Sequence, residues 1–250
     1  GFVVTDDKIS QFKKIKNISL KKKLKLFTLK NKYFQILSHN YKNEAQILKI
    51  KYGNLIHEIR VNLVGKIQLK NILMAVIAAS KSNLDLKKIF SVIPRLSSVE
   101  GRFEKIGKIK NKSLVFLDYA HTPDALQTCI LNIREQFPDK HISVLFGCGG
   151  DRDKGKRSKM GKIADKYAHK IYLTDDNPRH ERPKKIRNEI KKGIKKSPII
   201  EISNRKEAIV KAINNLNTGN ILIVAGKGHE KFQQIGNRKV FLSDRQIILS

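Results

Sequence analysis

The sequence predicts an α/β protein in two parts, and three observations carry that expectation. From about residue 101 onward, short apolar strands alternate with amphipathic helices, the pattern of parallel strands joined by crossover helices. Four of those strands end in clusters of Gly with Asp, Arg, Lys, His or Glu, and ligands bind beyond the carboxyl ends of strands in open α/β sheets. The first hundred residues keep a different rhythm, short strands followed by helices, so the parts are divided as 1–97 and 98–250.

Taken in order, residues 2–7 (FVVTDD) read as a strand running into a turn, and further strands are predicted at 24–29, 33–38, 45–51 and 55–63. Apolar positions such as Ile56, Ile59 and Val61 support the last of these. Residues 69–80 read as a buried helix and 86–93 as a second, stopped by Pro94. The second part predicts strands at 113–118, 141–146, 170–174, 199–202 and 220–225, and helices at 123–137, 158–168, 183–195 and 206–215. The helix at Pro123 is the best signalled: Thr122 suits the N-cap, Pro123 the first helical position, and Leu126, Cys129, Ile130, Ile133 and Phe137 make one apolar stripe. That stripe assigns Cys129 to the core.

Composition removes several classes. The 250 residues carry 52 Lys plus Arg against 22 Asp plus Glu, a formal charge of +30, yet 40% are hydrophobic, which excludes a disordered polycation. The cations are 40 Lys and only 12 Arg, scattered over nearly every segment, so they read as solvated surface rather than a nucleic-acid site, where Arg and aromatics cluster. A basic, non-catalytic binding domain is the alternative from a different class. The longest apolar run, 72–79, falls far short of the roughly 20 residues of a membrane span. The first residues lack a signal-peptide pattern, so a cytoplasmic location is expected. Position 1 is Gly rather than Met, and the chain is expected to begin inside a larger protein. Two cysteines, Cys129 and Cys148, form neither a disulfide framework nor a zinc pattern, and Cys148 is expected to be an inert loop thiol. No metal ligand is assigned.

The strand ends hold the candidate chemistry. They read Asp118-Tyr119-Ala120-His121, then Gly147 to Arg157 (GCGGDRDKGKR), Asp175-Asp176-Asn177-Pro178-Arg179, and Gly226-Lys227-Gly228-His229-Glu230. Glycines and Asp-Asn-Pro make turns whatever the function. Turns do not need Arg, Lys, His, Asp and Glu at every strand end of one sheet, and together these describe a charged pocket for a zwitterionic or anionic ligand.

The runs DYAHTPDAL (118–126), FGCGGDRDKGKR (146–157), TDDNPR (174–179), VAGKGHE (224–230) and SDR (243–245), with GRFE (101–104) and a G-x-x-x-x-x-N run ending at Asn71, resemble the Mur ligase family. The resemblance implies a Rossmann-like C-terminal domain over 98–250, preceded by the tail of a central ATPase α/β domain. It also implies ATP-dependent ligation of meso-diaminopimelate to UDP-N-acetylmuramoyl-dipeptide through an acyl phosphate, in peptidoglycan precursor synthesis. Carried over by motif, Arg179 grips the distal carboxylate of meso-diaminopimelate, and Asp176, Asn177 and Pro178 shape that pocket. Arg152 meets a carboxylate, Glu230 an ammonium, and Gly226 contributes backbone. Asn71 faces the adenine, Arg102 the phosphates and Asp118 the ribose. No G-x-x-x-x-G-K-[ST] loop occurs, so the phosphate loop, the Mg2+ ligands and the UDP-sugar domain are expected upstream, and the chain alone is expected not to ligate. A related ligase adding another amino acid is the nearer alternative.

Overall fold

The computed structural model describes residues 1–30, 34–42, 44–52, 54–108 and 112–250. Tyr33, the first residue of one predicted strand, lies outside them. The chain divides into two compact units, Gly1–Ser97 and Ser98–Ser250.

In the first unit β1 (Phe2–Thr5) and β2 (Lys25–Thr28) pair in parallel across α1 (Phe12–Lys21), a helix the sequence reading did not anticipate. A three-stranded antiparallel meander follows, of β3 (Gln35–Lys42), β4 (Ala45–Tyr52) and β5 (Leu55–Val61). Leu48, Ile50, Ile59 and Val61 bury one sheet face against Leu69, Ile72, Leu73, Val76 and Ile77 of α2 (Lys66–Lys81) and Leu86 and Phe90 of α3 (Leu86–Val92). Each such side chain contributes about 1.5–3 kcal/mol by leaving water. Fully buried Gln46 donates from Nε2 to Leu63 O (2.7 Å) and Gly65 O (3.2 Å), which fixes the entry to α2. Helix α2 therefore starts three residues ahead of the predicted 69.

The second unit is built on a six-stranded sheet. Its strands are β6 (Glu104–Lys108), β7 (Leu114–Asp118), β8 (Ile142–Phe146), β9 (Lys170–Leu173), β10 (Ile199–Glu201) and β11 (Ile221–Ala225), in the order β10-β9-β8-β11-β7-β6. Only β6 runs antiparallel to its neighbour. Strands β7, β8 and β11 are almost wholly buried, as expected for a parallel sheet covered on both faces. One face packs Val115, Leu117, Leu145, Leu222 and Val224 against Ala208, Ile209 and Ala212 of α7 (Arg205–Asn214). On the other face Phe116 meets Phe137 just after α4 (Pro123–Gln136). The stripe of α4 is buried as predicted, Cys129 included, and Thr122 Oγ1 accepts from Ala125 N at its start.

Two helix boundaries differ from the sequence reading for local reasons. Helix α5 (Gly155–Tyr167) begins earlier than 158 because Asp153 Oδ1 accepts from Gly155 N (2.8 Å). Helix α6 (Pro183–Lys191) stops short of 195 because Gly193 passes against α5 so closely that a Cβ there would lie 1.9 Å from Ser158 O. The chain closes with a hairpin, β12 (Phe232–Ile235) and β13 (Arg238–Phe241), and a short α8 (Asp244–Leu249), none of them anticipated.

Candidate functional site

Register brings the polar strand ends together. Ala225 pairs with Asp118, Val224 with Leu145 and Phe146 with Leu173, so the carboxyl ends of β7, β11, β8 and β9 lie along one edge of the sheet. The segments after them face one another there.

Arg179 sits after β9 with φ 49°, a left-handed conformation rare for a residue with a side chain. The hairpin holds it: Arg179 N donates to Gln234 O (3.1 Å), and Gly236 N donates to Arg179 O (2.7 Å). Its guanidinium is aimed by two bonds, Nε to Gln234 Oε1 (3.2 Å) and Nη1 to Gly150 O (2.8 Å). Among the described residues nothing bonds Nη2, so that edge stays available to a ligand. The loop after β8 must come close for this. Gly150 N donates to Asn177 O (2.9 Å), and a Cβ at Gly150 would lie 1.9 Å from Pro178 O.

Asn177 and Glu230 are joined through Lys227, whose side chain is fully buried. Lys227 Nζ donates to Asn177 Oδ1 (3.1 Å), Glu230 Oε2 (3.0 Å) and Phe232 O (2.6 Å), which uses all three ammonium protons. Asn177 Oδ1 also accepts from Gln234 N (2.9 Å), so its Nδ2 turns to Glu230 Oε2 (3.1 Å). Among the described residues Glu230 Oε1 has only a long bond, from Tyr119 Oη (3.4 Å). Asn177, Arg179 and Glu230 line one cleft of about 290 Å³ with Lys231, Phe232, Gln234 and Lys239. Below it Asp176 Oδ1 accepts from Asn177 N (2.6 Å), and a Cβ at Gly226 would come within 2.9 Å of Asp176 Oδ2. Arg152 is exposed, bonds only its own loop through Asp151 O (3.0 Å), and is not among the residues lining the cleft.

The predicted nucleotide residues fall into two groups. Asp118 accepts from Phe103 N (2.7 Å) and Ala120 N (2.8 Å), so both carboxylate oxygens already hold the Gly101–Phe103 turn and the end of β7. Burial lifts its pKa above the ordinary carboxylate value, against the pull of those amides and the Arg102 charge. Arg102 is exposed and lies over the Tyr119 ring at 4.4 Å, with the His229 ring 5.4 Å from it and tilted by 31°. These make a cationic and aromatic shelf at the β7 end. Asn71 belongs to the first unit, exposed on α2.

Four supporting residues had no role assigned from the sequence, although Arg157 and Asp244 lie within the runs 146–157 and 243–245. Arg157, fully buried, donates to Glu181, Glu189 (2.7 Å) and Gly149 O (3.1 Å), and holds the Glu181 carboxyl down to about 2. Arg205 and Asp244 form a bidentate pair of fully buried side chains (2.8 and 2.7 Å). Gln234 had a signal, the two-residue Gly236-Asn237 turn between FQQI and RKVF that marks a hairpin. Cys148, expected to be an inert loop thiol, is buried: burial pushes its thiol up to about 12, and its Sγ lies 3.6 Å from Met160 Sδ.

Residues 101–228, just over half the chain, match the family described as "Mur ligase, glutamate ligase domain". The chain belongs to the Mur ligase family. It is 38% identical over 250 residues to the UDP-N-acetylmuramoyl-L-alanyl-D-glutamate--2,6-diaminopimelate ligase of Rickettsia felis, covering 99% of this chain and 46% of the relative. The ligase of the same name from Rhizobium meliloti is 44% identical over 199 residues, 80% of this chain and 40% of the relative. A solved structure of a ligase with that name superposes with a TM-score of 0.70 at 30% identity, covering 98% of this chain and 52% of that one. The chain thus spans about half the length of the Mur ligases it matches. Among the described residues no group of three His, Cys, Asp or Glu is placed to hold a metal, and no helix is long and apolar enough to cross a membrane.

Proposed function

We propose that this chain supplies the amino-acid pocket of an ATP-dependent ligase that joins meso-diaminopimelate to the D-glutamate of UDP-N-acetylmuramoyl-L-alanyl-D-glutamate, a cytoplasmic step of peptidoglycan precursor synthesis. The observation that carries the reading is the cleft lined by both Arg179 and Glu230, with the Arg179 guanidinium bonded through Nε and Nη1 and Glu230 Oε2 held by Lys227. A planar guanidinium takes a carboxylate through two parallel bonds, which fits the distal carboxylate of diaminopimelate and has no use for the bare side-chain ammonium of lysine. Glu230 Oε1 accepts from an ammonium of the same ligand, with Asn177 beside it, and Arg152, from the loop after β8, is assigned to a carboxylate of that ligand. Asp176, Pro178 and Gly226 set the backbone that permits the close approach.

In the reaction, the D-glutamate carboxylate takes the γ-phosphoryl of ATP to give an acyl phosphate. The amine of diaminopimelate then attacks the acyl carbon and phosphate leaves. The task of this chain is positioning: it fixes the amino acid at both ends so that the bimolecular attack becomes an oriented one. On the shelf beside β7, Arg102 is assigned to the phosphates and Asp118 to the ribose; Asn71, on α2 of the first unit, is assigned separately to the adenine. Mg2+ neutralises charge on the transferring phosphoryl, and no residue of this chain is assigned to it.

Calorimetric titration of the chain with meso-diaminopimelate and L-lysine tests the reading, with Arg179→Ala as control. The expected result is a preference for diaminopimelate that Arg179→Ala removes, with a loss of about tenfold to more than a hundredfold for one charge-assisted contact. Equal affinity for both amino acids, or an Arg179→Ala variant that binds like the parent, would sink it.

A further inference from the structure

The neighbours of Arg179 set it apart from the arginines of this unit that are held by ion pairs. Arg157 is bonded to Glu181 and Glu189, Arg187 to Asp175 and Glu201, Arg205 to Asp244, and Arg245 to Glu104. Each of these has a protein carboxylate as partner. Arg179 has none: both of its side-chain partners are neutral oxygens, Gln234 Oε1 at 3.2 Å and Gly150 O at 2.8 Å. The one acidic side chain lining its cleft, Glu230, has Oε2 engaged by Lys227 and Asn177.

Gln234 is tied down at every polar group. Its backbone N donates to Asn177 Oδ1 (2.9 Å) and its backbone O accepts from Arg179 N (3.1 Å). Its Nε2 donates to Gly236 O (3.3 Å), which leaves Oε1 facing Arg179. One residue thereby fixes the two side chains, Asn177 and Arg179, that the pocket needs. It lies on β12, beyond the residues matched by the family.

We propose that Gln234 is a specificity-determining positioning residue, whose neutral oxygen holds the Arg179 guanidinium by Nε and leaves its charge and its Nη2 edge to a ligand carboxylate. The proposal rests on the reading of Arg179 given above. A carboxylate of the same length would instead take Nε and Nη2 together as a bidentate partner, covering the edge and cancelling the charge. The choice of amide over acid at position 234 is then what makes the cleft select a ligand with a second carboxylate.

Two variants and two readouts test it. In the free chain, exchange of the Arg179 Nε–H with solvent, followed by NMR, should be slow in the parent and in Gln234→Glu, and at least about tenfold faster in Gln234→Ala. In calorimetry, Gln234→Glu should weaken meso-diaminopimelate about tenfold or more while leaving L-lysine unchanged, so the ratio of the two affinities falls. Unchanged exchange in Gln234→Ala overturns the positioning role whether or not any ligand binds. An undiminished preference for diaminopimelate in Gln234→Glu overturns the specificity role. If Arg179→Ala has no effect on diaminopimelate while Nε–H exchange still responds to Gln234→Ala, the fault lies in the pocket reading and not in the contact.

Discussion

Replacing Arg205 with Met should expose how strongly the strand end that carries Gly226 depends on one buried ion pair. Both side chains of the Arg205–Asp244 pair are fully excluded from solvent, and the guanidinium meets the carboxylate through Nε–Oδ1 (2.8 Å) and Nη2–Oδ2 (2.7 Å). Nη2 also reaches Ala225 O (3.0 Å), so the pair ties the starts of α7 and α8 to the end of β11. Arg205→Met leaves the Asp244 carboxylate buried without a counter-charge, which costs about 3–5 kcal/mol. At about 2–4 °C per kcal/mol for a unit of this size, the melting transition of the Ser98–Ser250 unit should fall by roughly 6–20 °C. Removing both charges is a different matter, because two desolvation penalties vanish with them. The double variant Arg205→Met with Asp244→Leu should therefore recover at least half of the loss. Its remaining deficit comes from the Ala225 carbonyl and from the acid at the start of α8, about 0.3–1 kcal/mol for the latter. Urea and thermal unfolding followed by circular dichroism give both numbers. A single variant within about 1 kcal/mol of the parent, or a double variant no better than the single, would refute the reasoning.

Other substitutions and conditions probe the same frame. Gly150→Ala places a methyl 1.9 Å from Pro178 O, so the two loops must separate; a loss of about 1–3 kcal/mol in urea unfolding and of diaminopimelate binding is expected. Burial, then the neighbouring His141, with the Arg134 charge adding, lowers the pKa of His169, whose Nδ1 accepts from Ile142 N (3.0 Å). The proton is thus bound more readily by the unfolded chain: stability should be full above the ordinary histidine range and fall as pH drops through it toward the lowered value, and His169→Gln should flatten that slope in urea midpoints taken from pH 7.5 to 5. Cys148, with its thiol at about 12, and Cys129, pushed well above its ordinary value by burial, should both stay silent to a thiol reagent at pH 8 and react on unfolding; rapid native labelling of either would contradict their packing.

The alternation of strands and helices after residue 101 was legible because each element carries its own signal. Thr122 and Pro123 start α4, apolar runs mark the buried strands, and Gly with polar residues marks the ends. What escaped was decided elsewhere in the chain. Helix α1 carries as many lysines as apolar residues, and Ser19 is its one buried residue. The start of α5 depends on one Asp153 bond, and the end of α6 on a glycine passing the backbone of another helix. The motif residues of four strand ends were legible, but their partners were not, since Arg205 lies 39 positions from Asp244 and Gln234 57 from Asn177. Periodicity cannot report a bond between elements that only the fold makes adjacent.

Charge at a strand end does not by itself mark a residue as ligand-facing, and the arginines of this sheet illustrate why. Arg157, in the first turn of α5, and Arg179, in the segment after β9, both bond carbonyls of the Gly149–Gly150 turn. Arg157 spends its fork on Glu181 and Glu189 and is wholly enclosed, so it can offer a ligand neither hydrogen bond nor net charge. Arg179 is held by two neutral oxygens and keeps both. The difference is invisible in the residue type and lies in the partner, which for Arg179 is supplied by a hairpin outside the motifs. Asp118 and Glu230 differ in the same terms: each Asp118 oxygen accepts from a backbone amide and has one lone pair left for a ribose hydroxyl, whereas Glu230 has Oε2 engaged by Lys227 and Oε1 with a 3.4 Å bond from Tyr119 Oη. Scaffold and recognition are thus built from the same side chains at the same strand ends, and what distinguishes them is whether the fold has already satisfied them.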